Sequence, residues 1–101
     1  MNKKCRIYIS GPITGTKDYL ERFGKAGLKL IEQGYKVINP ACIAAVMPYL
    51  TYEEYMRLDL FLLDMCDAVY MLKGWQESKG ANREYGYALA KDKIIIFEKG
   101  D

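Results

Sequence analysis

Cys5-Arg6-Ile7-Tyr8-Ile9-Ser10-Gly11-Pro12 reads as a β-strand that halts in a tight turn. β-Branched and aromatic residues fill the strand, and the Gly-Pro pair ends it. A helix is expected next, from about Lys17 to Gln33, because Tyr19, Leu20, Phe23, Gly27, Leu30 and Ile31 recur at three- and four-residue spacing. Gly34 then stands where a left-handed cap residue belongs. Tyr35–Ile38 is a short second strand closed by Asn39-Pro40, and residues 41–50 read as one helical turn and a loop. Thr51-Tyr52-Glu53-Glu54 is a capping box that opens a helix running to about Met65. Ala68–Leu72 is a third strand, Gly74–Glu77 a loop, and Ser78 caps a helix that continues to about Lys91. Lys93–Phe97 is a fourth, apolar strand.

Strands alternating with helices make right-handed βαβ units. The expected fold is therefore a small doubly wound α/β sheet, a Rossmann-like three-layer sandwich of about four parallel strands in the order 2-1-3-4. With 101 residues and no repeat or linker, residues 1–101 are expected to form one domain. Ligands of such sheets bind beyond the carboxyl ends of the strands, near the switch point between strands 1 and 3. Function is to be sought in residues 10–16, in residues 73–84 and at the start of the helix after Pro48.

Composition narrows the chemistry. There is no histidine, which excludes histidine-ligated zinc, Ser-His-Asp triads and Cys-His dyads. The work falls to carboxylates, hydroxyls, phenols and backbone amides, and neither a metal nor a cofactor is expected. Fifteen Lys and Arg against thirteen Asp and Glu leave a net charge of +2, too balanced for a nucleic-acid binder that acts by counterion release. No apolar run approaches the roughly 20 residues of a membrane span, and the N-terminal segment lacks the core of a signal peptide. Cys5, Cys42 and Cys66 are odd in number, scattered and without a CxxC, a pattern expected of a reduced, cytoplasmic chain.

Two acids stand out against their surroundings. Asp59 falls inside the apolar stripe Tyr52, Tyr55, Met56, Leu62, Leu63, Cys66, where a hydrophobe is expected, and buried carboxylates are costly unless paired or used. Glu84 borders the inward stripe Ala81, Tyr85, Ala88, Leu89 less than two turns from its helix start. The topology lets both meet over the end of strand 1, with Tyr8 between them. Two carboxylates around an apolar cleft suit chemistry at a sugar anomeric carbon. The competing reading is an internal salt-bridge network through Arg6 or Arg83. Asp64 is expected to be solvated, Asp67 to bond locally and Glu77 to be exposed. Gly11-Pro12-Ile13-Thr14-Gly15 matches neither a Walker loop nor GxGxxG, so it is either an anion-facing turn or a plain connection. Ser78 is likewise either a simple helix cap or one side of an anion site. Trp75 and Tyr70 are candidates to stack on a base, against the commoner role of core or rim.

Tyr8-Ile9-Ser10-Gly11-Pro12-Ile13, Asp59 eight residues before Asp67, and Ser78-x-Gly80-x-x-x-Glu84 together resemble the nucleoside 2-deoxyribosyltransferase superfamily. Within it the chain is most similar to the 2'-deoxynucleoside 5'-phosphate N-hydrolase type, over residues 5 to about 97. The resemblance implies a flavodoxin-like domain that cleaves the N-glycosidic bond of a 2'-deoxynucleoside or its 5'-monophosphate. It implies Glu84 as the nucleophile of a covalent deoxyribosyl intermediate, Asp59 as the acid near sugar and base, and Tyr8 as the phenol orienting the nucleophile. Ser78 stands where the hydrolase branch binds phosphate, and Gly11, Pro12, Ile13 and Gly80 would line the pocket. A homodimer or larger homo-oligomer is implied too, since family sites are commonly completed by a neighbouring subunit, whereas this chain stops soon after strand 4.

The first functional expectation is thus an N-glycosidase or deoxyribosyltransferase acting on a small nucleoside or nucleotide. The second is a non-catalytic module that binds or sequesters a nucleotide in the same cleft, and a third is a purely structural interaction domain. A phospho-receiver domain is disfavoured, because Ser10-Gly11 and Leu72-Lys73 stand where its acids are required.

Overall fold

The computed structural model describes residues 5–99. Four strands, β1 (Arg6–Ser10), β2 (Lys36–Ile38), β3 (Ala68–Met71) and β4 (Ile94–Phe97), form one sheet in the order β2-β1-β3-β4. All pairings are parallel, with Tyr8 opposite both Ile38 and Val69, and Ser10 opposite Met71. The expected α/β architecture and strand order are what the chain adopts.

The helices are α1 (Tyr19–Glu32), α2 (Ala41–Val46), α3 (Tyr52–Asp64) and α4 (Lys79–Ala90). Alternation along β1 and β3 sends side chains to two cores. Ile7, Ile9, Ala68, Tyr70 and Leu72 pack with Phe23, Ala26 and Leu30 of α1 and Ala41 of α2. Tyr8, Val69 and Met71 face the other way, onto Leu63, Cys66, Ala81 and Ala88 of the α3–α4 layer. The cysteines Cys5, Cys42 and Cys66 are all free.

Local signals account for the ends. Gly34 takes φ +97°, and the amides of Gly34 and Tyr35 close onto the carbonyls of Ile31 and Leu30 at 2.9 and 3.1 Å. The capping box forms as expected, Glu54 N donating to Thr51 Oγ1 at 3.1 Å and Thr51 N to Glu54 Oε1 at 2.8 Å. The ambiguous segment after Pro40 is a six-residue helix whose first amide, Ala41 N, donates to Asn39 Oδ1 at 3.0 Å. Gly74–Glu77, expected as a loop, contains a 3₁₀ turn at Trp75–Glu77.

Three expected stripes shift. Helix α1 starts at Tyr19 rather than Lys17, and Leu20 and Ile31 stay half exposed while Ala26 goes inside. The inward centre is Phe23, Ala26, Gly27 and Leu30. On α4 the buried positions are Ala81, Glu84 and Ala88, whereas Leu89 is exposed. Glu84 therefore lies at the centre of the inward stripe, not at its border. On α3 the buried positions are Met56, Asp59 and Leu63, with Leu62 only partly covered.

Candidate active site

Tyr8 and Ser10 sit two residues apart on β1, so both point into the α3–α4 layer. There they meet Glu84. Ser10 Oγ donates to Glu84 Oε1 at 2.6 Å, and the Tyr8 hydroxyl donates to Glu84 Oε2 in a short bond. Glu84 is 5% exposed, and Tyr8 and Ser10 are fully buried. Asp59 comes in from α3, buried, and shares with Glu84 a cavity of about 120 Å³. The turn after β1 and the start of α4 close its sides through Gly11, Ile13, Ser78 and Gly80. The cavity lies at the carboxyl end of β1, beside the β1–β3 switch point.

Gly11 is there because nothing larger fits: a Cβ would stand 2.8 Å from Leu72 Cβ. Its backbone thus passes close to β3 and holds the turn beside the cavity. Pro12, expected in the lining, instead turns its ring toward Gly74 and lies outside the cavity, as proline after a tight turn packs on the neighbouring loop. Tyr8 also lies beneath the cavity wall rather than in it.

The electrostatics follow from this burial. Desolvation pushes the Glu84 carboxyl up to about 7, Asp59 adds repulsion, and the two hydroxyl donors pull it back down. Burial alone pushes Asp59 up to about 7. The Tyr8 phenol is held well above its ordinary value, first by burial and then by the charges of Glu84 and Asp59. Two donors address Glu84, whereas no hydrogen bond reaches Asp59 among the described residues. Those two donors favour the ionised form of Glu84, and among the described residues no such donor does the same for Asp59.

The salt-bridge alternative is not what forms. Arg83 turns outward and grips Glu53 at 3.0 and 3.3 Å, and the backbone amide of Arg6 donates to Asp67 Oδ2 at 2.9 Å. Asp67, expected to bond locally, instead reaches across 61 residues to the start of β1. Asp64 is exposed as expected and accepts from Tyr87 at 2.9 Å, and Glu77 is exposed. Ser78 is a helix cap, its Oγ accepting from Ala81 N at 3.1 Å; the hydroxyl proton stays free to donate toward the cavity it lines. Trp75 packs against Tyr85 in a tilted pair with centroids 4.6 Å apart, and Tyr70 is buried on the opposite face of the sheet; neither lines the cavity.

Sequence reasoning missed Ser10 as a site residue. The signal was present, because a strand that aims Tyr8 at an acid aims the residue two positions on the same way. It also missed the apolar walls from Phe23, Tyr52, Tyr55 and Met56. Among the described residues no group of three or more cysteines and acids stands close enough to hold a metal ion, and no helix is long and apolar enough to cross a membrane.

A parallel four-stranded sheet with a buried acid pair at its switch point defines a flavodoxin-like α/β protein with a cavity fit for polar chemistry. The chain belongs to the family described as "Domain of unknown function (DUF4406)", whose model matches residues 5–97. No curated protein matches it. Among solved structures it is similar to one described as "2-desoxiribosyltransferase from Leishmania mexicana", with a TM-score of 0.71 at 20% identity over 96% of this chain. The match covers 65% of that protein's length, and the likeness is one of fold.

Proposed function

We propose that this cavity cleaves the N-glycosidic bond of a 2'-deoxynucleoside, preferably as its 5'-monophosphate, through a covalent glutamyl–deoxyribose intermediate. The observation that carries the reading is Glu84, a buried carboxylate held by two hydroxyls beside a second acid at the end of β1. The likeness of fold to a 2-desoxiribosyltransferase agrees with it.

In the first half, a Glu84 oxygen forms a bond to C1' as the C1'–N bond breaks, and the departing base takes the proton carried by Asp59. Positive charge grows on the sugar in the transition state, and the ionised Glu84 lies where it stabilises that charge. Tyr8 and Ser10 keep both carboxylate oxygens fixed and favour the charged form. In the second half, Asp59 takes a proton from water, whose oxygen attacks C1' and breaks the ester to release Glu84. A second base in place of that water makes the reaction a transfer. A cavity of about 120 Å³ is small beside the roughly 300–1,000 Å³ of ordinary ligand sites. It suits a sugar ring, with the base and phosphate toward the mouth and Ser78 in position to donate to a phosphate oxygen. The active species is proposed to be a homodimer or larger homo-oligomer.

One observation favours the binding-module reading: burial leaves Glu84 titrating at about 7, so near neutrality part of it is a neutral acid suited to holding a ligand. Incubation with a panel of deoxynucleosides and their 5'-monophosphates, followed by chromatography for free base, decides between them. Base release that disappears in Glu84→Ala supports the enzyme. Ligand-induced thermal stabilisation without release, even with a second base offered as acceptor, would make it a binder.

A further inference from the structure

We propose that Tyr52 is a specificity-determining residue of the cavity, its phenol donating a hydrogen bond to the 5'-phosphate of the bound substrate. The identity of that ligand rests on the reaction proposed above. What is added is a donor that the reaction itself does not use.

Tyr52 differs from the other phenols of the α3–α4 layer. The hydroxyl of Tyr8 donates to Glu84, that of Tyr55 to the Met47 carbonyl and that of Tyr87 to Asp64. The Tyr52 hydroxyl is buried and, among the described residues, has no hydrogen-bond partner. A buried polar group without a partner costs free energy, and native chains keep few of them. Its neighbours do not relieve it. Lys79 Nζ and the Arg83 guanidinium lie 5.3 and 5.6 Å from the centre of the Tyr52 ring, and both are donors only. Neither can accept the phenol's proton. The acceptor it lacks has to arrive with a ligand.

Position indicates which part of the ligand that is. Tyr52 is the first residue of α3, and Lys79 the first of α4. Tyr52 stands two turns, about 10 Å, before Asp59, and Ser78 stands about 9 Å before Glu84. The phenol is thus on the level of Ser78, away from the acids and toward the mouth. Tyr52 and Ser78 line both the inner cavity and an outer one of about 340 Å³, which Glu77 and Lys79 also border. The hydroxyl faces the first turn of α4, where a Cβ on Gly80 would stand 3.7 Å from it.

The walls of the outer cavity are rich in donors. They carry the hydroxyls of Thr14 and Ser78, the Lys79 ammonium, and the Lys79 and Gly80 amides, which have no acceptor within α4. Against these stands the exposed carboxylate of Glu77. A phosphate brings acceptor oxygens and matches the set, whereas the edge of a base presents donors as well, which these walls match poorly.

Calorimetric titration of the full chain with 2-deoxyribose 5-phosphate, and with 2-deoxyribose, tests the assignment. Tyr52→Phe is expected to weaken the phosphate ester about tenfold and the free sugar less than threefold. Neither probe has a base to lose, so the titration reads Tyr52 whether or not the protein cleaves anything; absence of base release in the substrate panel would sink the reaction alone. Thermal unfolding of the free protein supplies a second readout. A phenol without a partner contributes no bond, so Tyr52→Phe should melt within about 2 °C of wild type or above it. A loss below threefold for the phosphate ester, an equal loss for both probes, or no binding of the ester to wild type overturns the proposal. So does a melting temperature lower by about 4–8 °C, which is what one lost structural hydrogen bond would give.

Discussion

The two faces of the sheet are built from the same strands yet bury opposite kinds of side chain. Toward α1, β1 sends Ile7 and Ile9 into a cluster whose buried members are all hydrophobic. Toward α3 and α4 it sends Tyr8 and Ser10, which meet a buried glutamate beside a buried aspartate. A strand's alternation thus divides one small protein into a packing face and a chemical face. The acids on the chemical face are held at a cost to folding, since burial raises both of their pKa values. A group that costs stability and is still firmly held by two hydroxyls points to use rather than to packing.

The strongest way to break this contrast is at Glu84. Glu84→Gln keeps the shape and removes the proposed nucleophile, so turnover should fall on the order of 10³-fold or more while the fold persists. Unchanged base release would take Glu84 out of the mechanism. Stability should respond in opposite directions on the two faces. Ile9→Ala, on the packing face, should cost about 2–4 kcal/mol by urea unfolding, from lost burial and the cavity left behind.

Glu84→Gln should instead stabilise the protein at alkaline pH. The acids' pKa values are higher folded than unfolded, so the folded state holds more protons between their ordinary values and about 7. Stability is then greatest below the unfolded pKa and is lost as pH rises through about 7. The variant is expected to gain about 1–3 kcal/mol at pH 8 and little at pH 5. Equal gains at both pH values would show that Glu84 is not the strained group.

Much of this contrast was legible in the sequence, and the reasons are specific. Asp59 announced itself because an acid interrupts a helical stripe, and Thr51 with Glu54 because a capping box has a fixed spacing. The sheet order followed from strand–helix alternation and the handedness of crossovers. Leu20, Ile31 and Leu89 misled, because periodicity gives the direction of a stripe but not how wide a neighbouring layer will cover it. Glu84 looked peripheral for a related reason: with Tyr85 and Leu89 taken as inward, the stripe is rotated and the acid falls at its edge. Pro12 misled because a sequence does not say to which side of a turn the ring packs. Ser10 was overlooked since serine at a strand end is ordinary, and only the partner across 74 residues gives it meaning.

Substrate preference gives a smaller effect. Ser78→Ala removes the hydroxyl that caps α4 and faces the cavity. The lost cap, about 1 kcal/mol, lowers stability whatever the substrate. The lost donor should raise KM for 5'-monophosphates by about tenfold over its effect on nucleosides. Equal loss for both classes would leave Ser78 a cap alone.

The smallest and finest test concerns Ser10. Its hydrogen bond lowers the Glu84 pKa against the upward push of burial, and the Tyr8 hydroxyl does the same from the other oxygen. Removing one of two donors in Ser10→Ala lets the Glu84 pKa climb further. The acidic limb of the pH–rate profile, where Glu84 becomes protonated and attack stops, should therefore move about one unit toward alkaline pH. At a pH above that limb the rate should fall only a few-fold, because Tyr8 still fixes the other oxygen. A limb that stays in place while the plateau drops would mean that Ser10 orients the carboxylate without setting its charge, and the burden of keeping Glu84 ionised would then rest on Tyr8 and on the proton held by Asp59.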